Sequence, residues 1–230
     1  MKNVLITGYS RGLGYCIAKE LSRQDVSLIG VSASLRDCEF DIDRYRVDFR
    51  KPDEVEEFAK RITQKYSHID VLINNAGIYI DDPRITDFFI RNINYDIISD
   101  TVNVNYYAAY ILIRHIIEKQ IENGYGRIIN ISSGMGRLGE FDEYSYAYRL
   151  SKLMSNTLTI SYSELLKKMD CDVSIMSVCP GWIRTDMGTP NAPDSPEKAA
   201  GYIANLYKGE KRDTNGYFFR NGDVLSWMKK

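Results

Sequence analysis

The stretch Thr7-Gly8-Tyr9-Ser10-Arg11-Gly12-Leu13-Gly14 decides the fold. It lies between a short apolar run, Val4-Leu5-Ile6, and a segment that carries Leu13, Cys16, Ile17 and Leu21 on one stripe. The run reads as a strand, and the stripe has the spacing of an amphipathic helix. Glycines at 8, 12 and 14 permit a tight turn and let the backbone approach a phosphate closely. The helix that follows offers free N–H groups and the positive end of its dipole. An ordinary glycine-rich connection has the same composition, but the position at the first strand-to-helix junction favours the phosphate reading.

Outward from this turn, strands and helices alternate to the end of the chain. Strands are expected at Val26 to Val31, Tyr45 to Phe49, Ile69 to Ile73, Arg127 to Ile131, Val173 to Val178 and Tyr217 to Arg220. Helices are expected from Pro52 to Tyr66, Val102 to Ile121, Ser145 to Lys168 and Pro196 to Tyr207. Pro52 suits a first helical turn, and Asp53 and Glu54 suit a helix N-terminus. Alternation of this kind demands parallel pairing through right-handed crossovers. The expectation is an α/β fold, with a doubly wound, mostly parallel seven-stranded sheet, helices on both faces and one domain over residues 1–230. The least regular stretches are 78–98, 134–143 and 188–195. The first two follow strand ends, where open α/β sheets place ligands.

Composition excludes several classes. Thirty Lys plus Arg against 31 Asp plus Glu leave a net charge of −1, so no positive field draws nucleic acid or an anionic membrane. No apolar run approaches the ~18 residues of a membrane span, and the apolar start is too short for a secretory core. The four cysteines include no C-x-x-C pair and suit reduced thiols in the cytoplasm. With only His68 and His115, and no G-x-S-x-G, neither a histidine-rich metal site nor a serine hydrolase is expected.

Further motifs follow in order. Asn74-Asn75-Ala76-Gly77 comes after strand four and Ser132-Ser133-Gly134-Met135-Gly136 after strand five. Tyr148-Arg149-Leu150-Ser151-Lys152 opens the next helix, and Pro180-Gly181-Trp182-Ile183-Arg184-Thr185 follows strand six. Tyr148 and Lys152, four apart, share a helix face. An ammonium beside a phenol favours the phenolate, so such a tyrosine can serve as general acid or base.

Together these motifs, T-G-x-x-x-G-x-G, N-N-A-G, S-S-x-x-G, Y-x-x-x-K and P-G-x-x-x-T, resemble those of the compact single-domain short-chain dehydrogenase/reductases over nearly the whole chain. The 179–187 stretch and Ser195-Pro196-Glu197 are most similar to the branch of carbonyl reductases and bacterial C-factor-like proteins. The resemblance implies a catalytic set of Ser133, Tyr148, Lys152 and a helix asparagine, for which Asn103 is preferred over Asn105. It implies cofactor contacts from Gly8, Ser10, Arg11, Gly12, Leu13 and Gly14, from Ser32, and from Asp48 and Phe49 at the end of strand three. Asn75, Ala76, Gly77, Tyr148, Lys152, Pro180, Gly181, Ile183 and Thr185 complete that list, with Thr185 expected at the nicotinamide carboxamide.

The end of strand two has no acid before Asp37, so nothing there repels a 2′-phosphate, and Arg11, Ser32 and Arg36 can meet one. NADP(H) is therefore preferred, with NAD(H) possible. The expected substrate is a small carbonyl compound or alcohol, and a homodimer or homotetramer is open. The alternative is a non-enzymatic NAD(P)-binding signalling or regulatory protein of the C-factor-like type, which the intact catalytic set disfavours. Trp182 and Tyr144 are open between facing the substrate and packing.

Overall fold

The computed structural model describes residues 1–84, 90–139 and 141–229. Its strands are β1 (Lys2–Thr7), β2 (Val26–Ser32), β3 (Asp43–Arg46), β4 (Val71–Asn74), β5 (Tyr125–Ile131), β6 (Asp172–Val178), β7 (Phe218–Arg220) and β8 (Asp223–Val224). They form one sheet in the order β3-β2-β1-β4-β5-β6-β7-β8. Every pairing from β3 to β7 is parallel, and β7 with β8 is antiparallel. The helices are α1 (Gly12–Leu21), α2 (Pro52–Lys65), α3 (Tyr95–Val102), α4 (Ala108–Glu122), α5 (Tyr146–Lys167), α6 (Pro196–Ile203) and α7 (Lys211–Thr214).

The central strands are apolar at nearly every position because both faces are covered. Leu5, Ile29, Leu72, Ile128 and Ile175 point to one layer, where Phe58 and Ile62 of α2, Leu112 and Ile116 of α4 and Leu158 of α5 pack. Val4, Ile6, Leu28, Ile73, Ile129 and Met176 point to the other, against Ile17 and Leu21 of α1 and Ala200 and Ile203 of α6. Strand order reverses direction between β1 and β4. The crevice beyond their carboxyl ends is the ligand position of such sheets.

Four expectations need correction. The sheet has eight strands, not seven, since Asn221 and Gly222 turn the chain back after β7 with φ of 52° and 96°. Two positive φ angles between paired strands suit the tight hairpin that an Asn-Gly pair favours. Strand three runs from 43 to 46 rather than 45 to 49. Its ladder ends when Val47 N–H bonds Ser32 O and Asp48 N–H is taken by the Glu54 carboxylate. The helix expected from 102 begins at Tyr95, where the Asn94 side chain accepts the Ile97 N–H as a cap. Finally, the helix expected to reach Tyr207 ends at Ile203.

Candidate active site

At the first turn, Gly8 and Gly12 take φ of 71° and 54°, which side chains rarely adopt. A Cβ on Gly14 would lie 2.1 Å from Gly8 O, so the turn closes this tightly only with glycine there. Thr7 and Asn75 lock this turn to the one after β4. Thr7 Oγ1 accepts the N–H groups of Asn75 and Ala76, both at 2.9 Å. The Asn75 amide in turn donates to Thr7 O and Gly8 O.

A cavity of about 940 Å³ opens over these turns. Its lining brings together every cofactor contact expected from the sequence, including Asp48 and Phe49, which lie in the loop after β3. Three hydroxyls gather at the β2 end, with Ser10 Oγ 2.9 Å from Ser32 Oγ and 3.3 Å from Ser34 Oγ. The Arg36 guanidinium lies 4.1 Å over the Tyr15 ring and donates to Ser10 O. Arg11 pairs with Asp186 at 3.3 Å, but the two side chains are 75% and 81% exposed. Such a pair is weak and leaves Arg11 free to turn.

At the other end of the cavity stand Ser133, Tyr148 and Lys152. Tyr148 and Lys152 lie on the buried face of α5. Ser133 accepts the Met135 N–H, and its hydroxyl lies on the Tyr148 side of the cavity, close enough to favour the phenolate. Ser132 follows the end of β5 and donates inward to Asn156 Oδ1 at 2.6 Å. Burial pushes the Tyr148 phenol well above its ordinary value, and the neighbouring Ser133 hydroxyl offsets only part of that. Burial also lowers the Lys152 ammonium to about 8, and its Nζ donates to Ile131 O at 2.8 Å. The expected depression of the phenol by the lysine is not seen: burial of the phenol dominates, and Lys152 Nζ lies 5.6 Å from the Tyr148 ring centroid.

Asn103 is not the helix asparagine of this site. Its amide turns outward to Arg50 O. Asn105 is buried instead, accepting the Ile78 N–H and donating to Ile78 O and to Ser151 Oγ. Gly77 stands between it and the lysine, since a Cβ there would lie 3.4 Å from Asn105 Oδ1 and 3.6 Å from Lys152 Nζ. Both asparagines lie in a π-helical turn over Asn103–Tyr107, inserted between α3 and α4. The Val-Asn-Val context that favoured Asn103 does not tell which of them that turn buries.

The segment after β4 adds four residues that sequence reading missed. Asp81, wholly buried, accepts the N–H groups of Ala147 at 2.7 Å and Tyr148 at 3.3 Å, the start of α5. Burial raises its carboxyl, and these bonds draw it back in part. The Tyr79 ring lies 4.3 Å from that of Tyr148, and its hydroxyl bonds Ser145. Burial would raise Asp82, but the Arg84 guanidinium grips it and holds it below the ordinary carboxylate range. Trp182 lines the cavity, and its indole N–H donates to Gly188 O. Tyr144 is outside the lining. Among the described residues no cluster suits a metal ion, and no helix is long and apolar enough to cross a membrane.

These features define a dinucleotide-fold oxidoreductase in which Ser133, Tyr148 and Lys152 gather at one end of the cavity. The model of the short chain dehydrogenase family matches residues 2–196, and the chain belongs to that family. A 3-oxoacyl-acyl-carrier-protein reductase FabG of Rickettsia conorii is 32% identical over 191 residues, covering 81% of this chain and 74% of that protein. Among solved structures, carbonyl reductase Sniffer of D. melanogaster matches with a TM-score of 0.81 at 28% identity, covering 99% of this chain and 100% of that one. An NADPH-bound carbonyl reductase from chicken fatty liver has the same fold, with a TM-score of 0.80 at 22% identity over 99% of each chain.

Proposed function

We propose that this chain is an NADPH-dependent reductase of small ketones or aldehydes, with Tyr148 as its general acid. The observation that carries the reading is the buried Tyr148 phenol, with Ser133 beside it in the lining and Lys152 on the same helix face, at one end of the glycine-turn cavity. The cavity fits a dinucleotide. The cradle at Gly8 and Gly14 leaves no room for side chains, and the cavity runs unbroken from Ser10 and Ser32 to Lys152 and Thr185.

NADP(H) is favoured over NAD(H) by the Ser10, Ser32 and Ser34 hydroxyls, with Arg11 and Arg36 beside them and no carboxylate at the end of β2. Two solved relatives are named as carbonyl reductases and one of these is NADPH-bound, which points the same way. When bound, the nicotinamide supplies the hydride that reduces the substrate carbon.

The chain's own groups handle the proton and the geometry. A phenol held above its ordinary pKa keeps its proton at neutral pH, which suits donation to a carbonyl oxygen. Ser133 Oγ accepts the Met135 N–H, so its own hydrogen is free for Tyr148 or the substrate oxygen. Lys152 remains largely charged at pH 7 and stabilises negative charge that develops on the phenol oxygen. Tyr79, Met135, Trp182 and Leu225 give the cavity apolar walls, which suit a carbonyl flanked by apolar groups. Four free cysteines fit work in the cytoplasm.

The test is NADPH consumption with a panel of ketones, aldehydes and quinones. Turnover of at least one class is expected. Tight NADPH binding with no turnover across the panel overturns the reductase reading in favour of a dinucleotide-binding regulator.

A further inference from the structure

Two segments rise from the carboxyl ends of strands on either side of β5, residues 78–84 after β4 and residues 179–189 after β6. Among the described residues, the hydrogen bonds that join them all come from Arg84. Its Nη2 donates to Met187 O at 2.8 Å and its Nη1 to Gly188 O at 3.3 Å. The other side of the guanidinium is fixed by Asp82, whose carboxylate is almost fully buried and accepts from Nε at 2.8 and 2.9 Å and from Nη2. A planar fork held bidentately on one edge has its remaining N–H groups aimed in one direction.

What Arg84 holds is the turn that sets Thr185. Gly188 O also accepts the Trp182 indole N–H, while Gly188 N–H donates to Thr185 Oγ1 at 3.1 Å. That bond uses a lone pair of the threonine hydroxyl and leaves its hydrogen to donate into the cavity. The turn tolerates no side chain at 188, where a Cβ would sit 1.8 Å from Ile183 O. Its conformation is thus narrowly defined, and two of its carbonyls are fixed by a residue from across the cavity.

We propose that Arg84 is a positioning residue for cofactor retention: anchored on Asp82, it ties the 182–188 turn down so that the Thr185 hydroxyl stays at the nicotinamide end. The inference rests on the placement of the nicotinamide beside Thr185 in the function proposed above. It goes beyond that placement by assigning the closure of the site to a side chain that need not touch the cofactor. Loss of the tie frees the turn to swing away, which speeds dissociation of the nicotinamide half and leaves the adenosine half untouched.

The experiment compares two ligands on wild type, Arg84→Ala and Arg84→Lys. NADPH binding and release are followed by stopped-flow fluorescence. Binding of 2′,5′-ADP, which carries the adenosine 2′-phosphate half without nicotinamide, is followed by calorimetry. Arg84→Ala is expected to weaken NADPH about tenfold, through faster release, as befits the loss of charge-assisted bonds. The affinity for 2′,5′-ADP is expected to stay within about twofold of wild type. Lysine keeps the charge but not the fork, so Arg84→Lys is expected to resemble alanine.

Equal loss of both ligands, or no change in either, overturns the proposal, as does full rescue by lysine. Wild type that binds 2′,5′-ADP and NADPH with equal strength overturns the nicotinamide placement itself, a distinct result. If Arg84→Ala does not fold, as judged by its thermal transition, Asp82→Asn and Arg84→Gln carry the same comparison.

Discussion

The Asp81 carboxylate accepts the backbone N–H of Tyr148, so the residue that bears the phenol is held by its main chain as well as by the Tyr79 ring against its own. Ser145, at the helix start, cannot provide this cap. It sits at φ 58°, and its hydroxyl is committed to Tyr79. Asp81→Ala strands two buried N–H groups, at a cost of about 1–3 kcal/mol. Melting should fall by about 2–4 °C per kcal/mol for a chain of this size. We expect kcat to drop about tenfold or more while the NADPH Kd barely moves. Asp81→Asn keeps one acceptor oxygen but sets an amide N–H₂ against the other N–H, so it should restore kcat only in part. Steady-state kinetics beside NADPH titrations check this, and an unaltered kcat in the alanine variant refutes it.

Tyr148→Phe should abolish carbonyl reduction. The change removes the acidic proton but little volume from a buried site, so NADPH affinity should stay within about twofold. Full activity in the phenylalanine variant would show that the proton comes from elsewhere.

Burial holds Lys152 at about 8, below its ordinary 10.5. The ammonium therefore persists below pH 8 and is lost as pH rises through that value. Reduction at saturating NADPH should decline over the same window. In Lys152→Met the rate should be low, and the inflection near 8 should be absent. A variant profile with the same inflection would assign it to another group.

The two asparagines of the π turn should behave oppositely. Asn105→Ala removes the partner of both Ile78 backbone groups and of Ser151, and should cost activity and stability together. Asn103→Ala removes one exposed bond to Arg50 O and should be close to neutral in both. Thermal melts and kcat measured on the pair decide the assignment.

Ser32 Oγ lies 2.9 Å from Ser10 Oγ at the end of β2. A carboxylate at 32 would repel a 2′-phosphate and accept ribose hydroxyls. Ser32→Asp should weaken NADPH by one to two decades while NADH holds or improves. The exposed pair with Asp186 contributes little, so Arg11→Ala should act through the phosphate alone. With one charge-assisted bond worth roughly 1.5–3 kcal/mol, NADPH should weaken about ten- to a hundredfold and NADH hardly at all. Fluorescence titrations of both cofactors measure this directly.

The glycine turn, the strand order implied by its alternating helices, and the Tyr148–Lys152 face were legible because each depends on local spacing. The hairpin at Asn221–Gly222 was missed: the dipeptide favours two positive φ angles, but β8 is only two residues long and shows no alternation to reveal a strand. Asn105 was in view as the competing candidate, but the Val-Asn-Val context favoured Asn103, and neighbouring residue types do not tell which of two asparagines the turn buries. Asp81, Asp82 and Arg84 were hidden for a different reason. Their partners lie 67, 2 and more than 100 positions away, and a charged stretch in a loop reads as solvated until the fold buries it.

The wide turn at Asn103–Tyr107 also constrains how this chain can change length. A π turn equals a regular helix carrying one surplus residue. The wide turn absorbs that residue, so deleting one position within it would restore regular pitch and leave α3 and α4 in phase. The disturbance would then fall on the turn itself, which carries Asn105 and its bonds to Ile78 and Ser151. The count between Val102 and Ala108 thus bears on the placing of one side chain rather than on the packing of either helix.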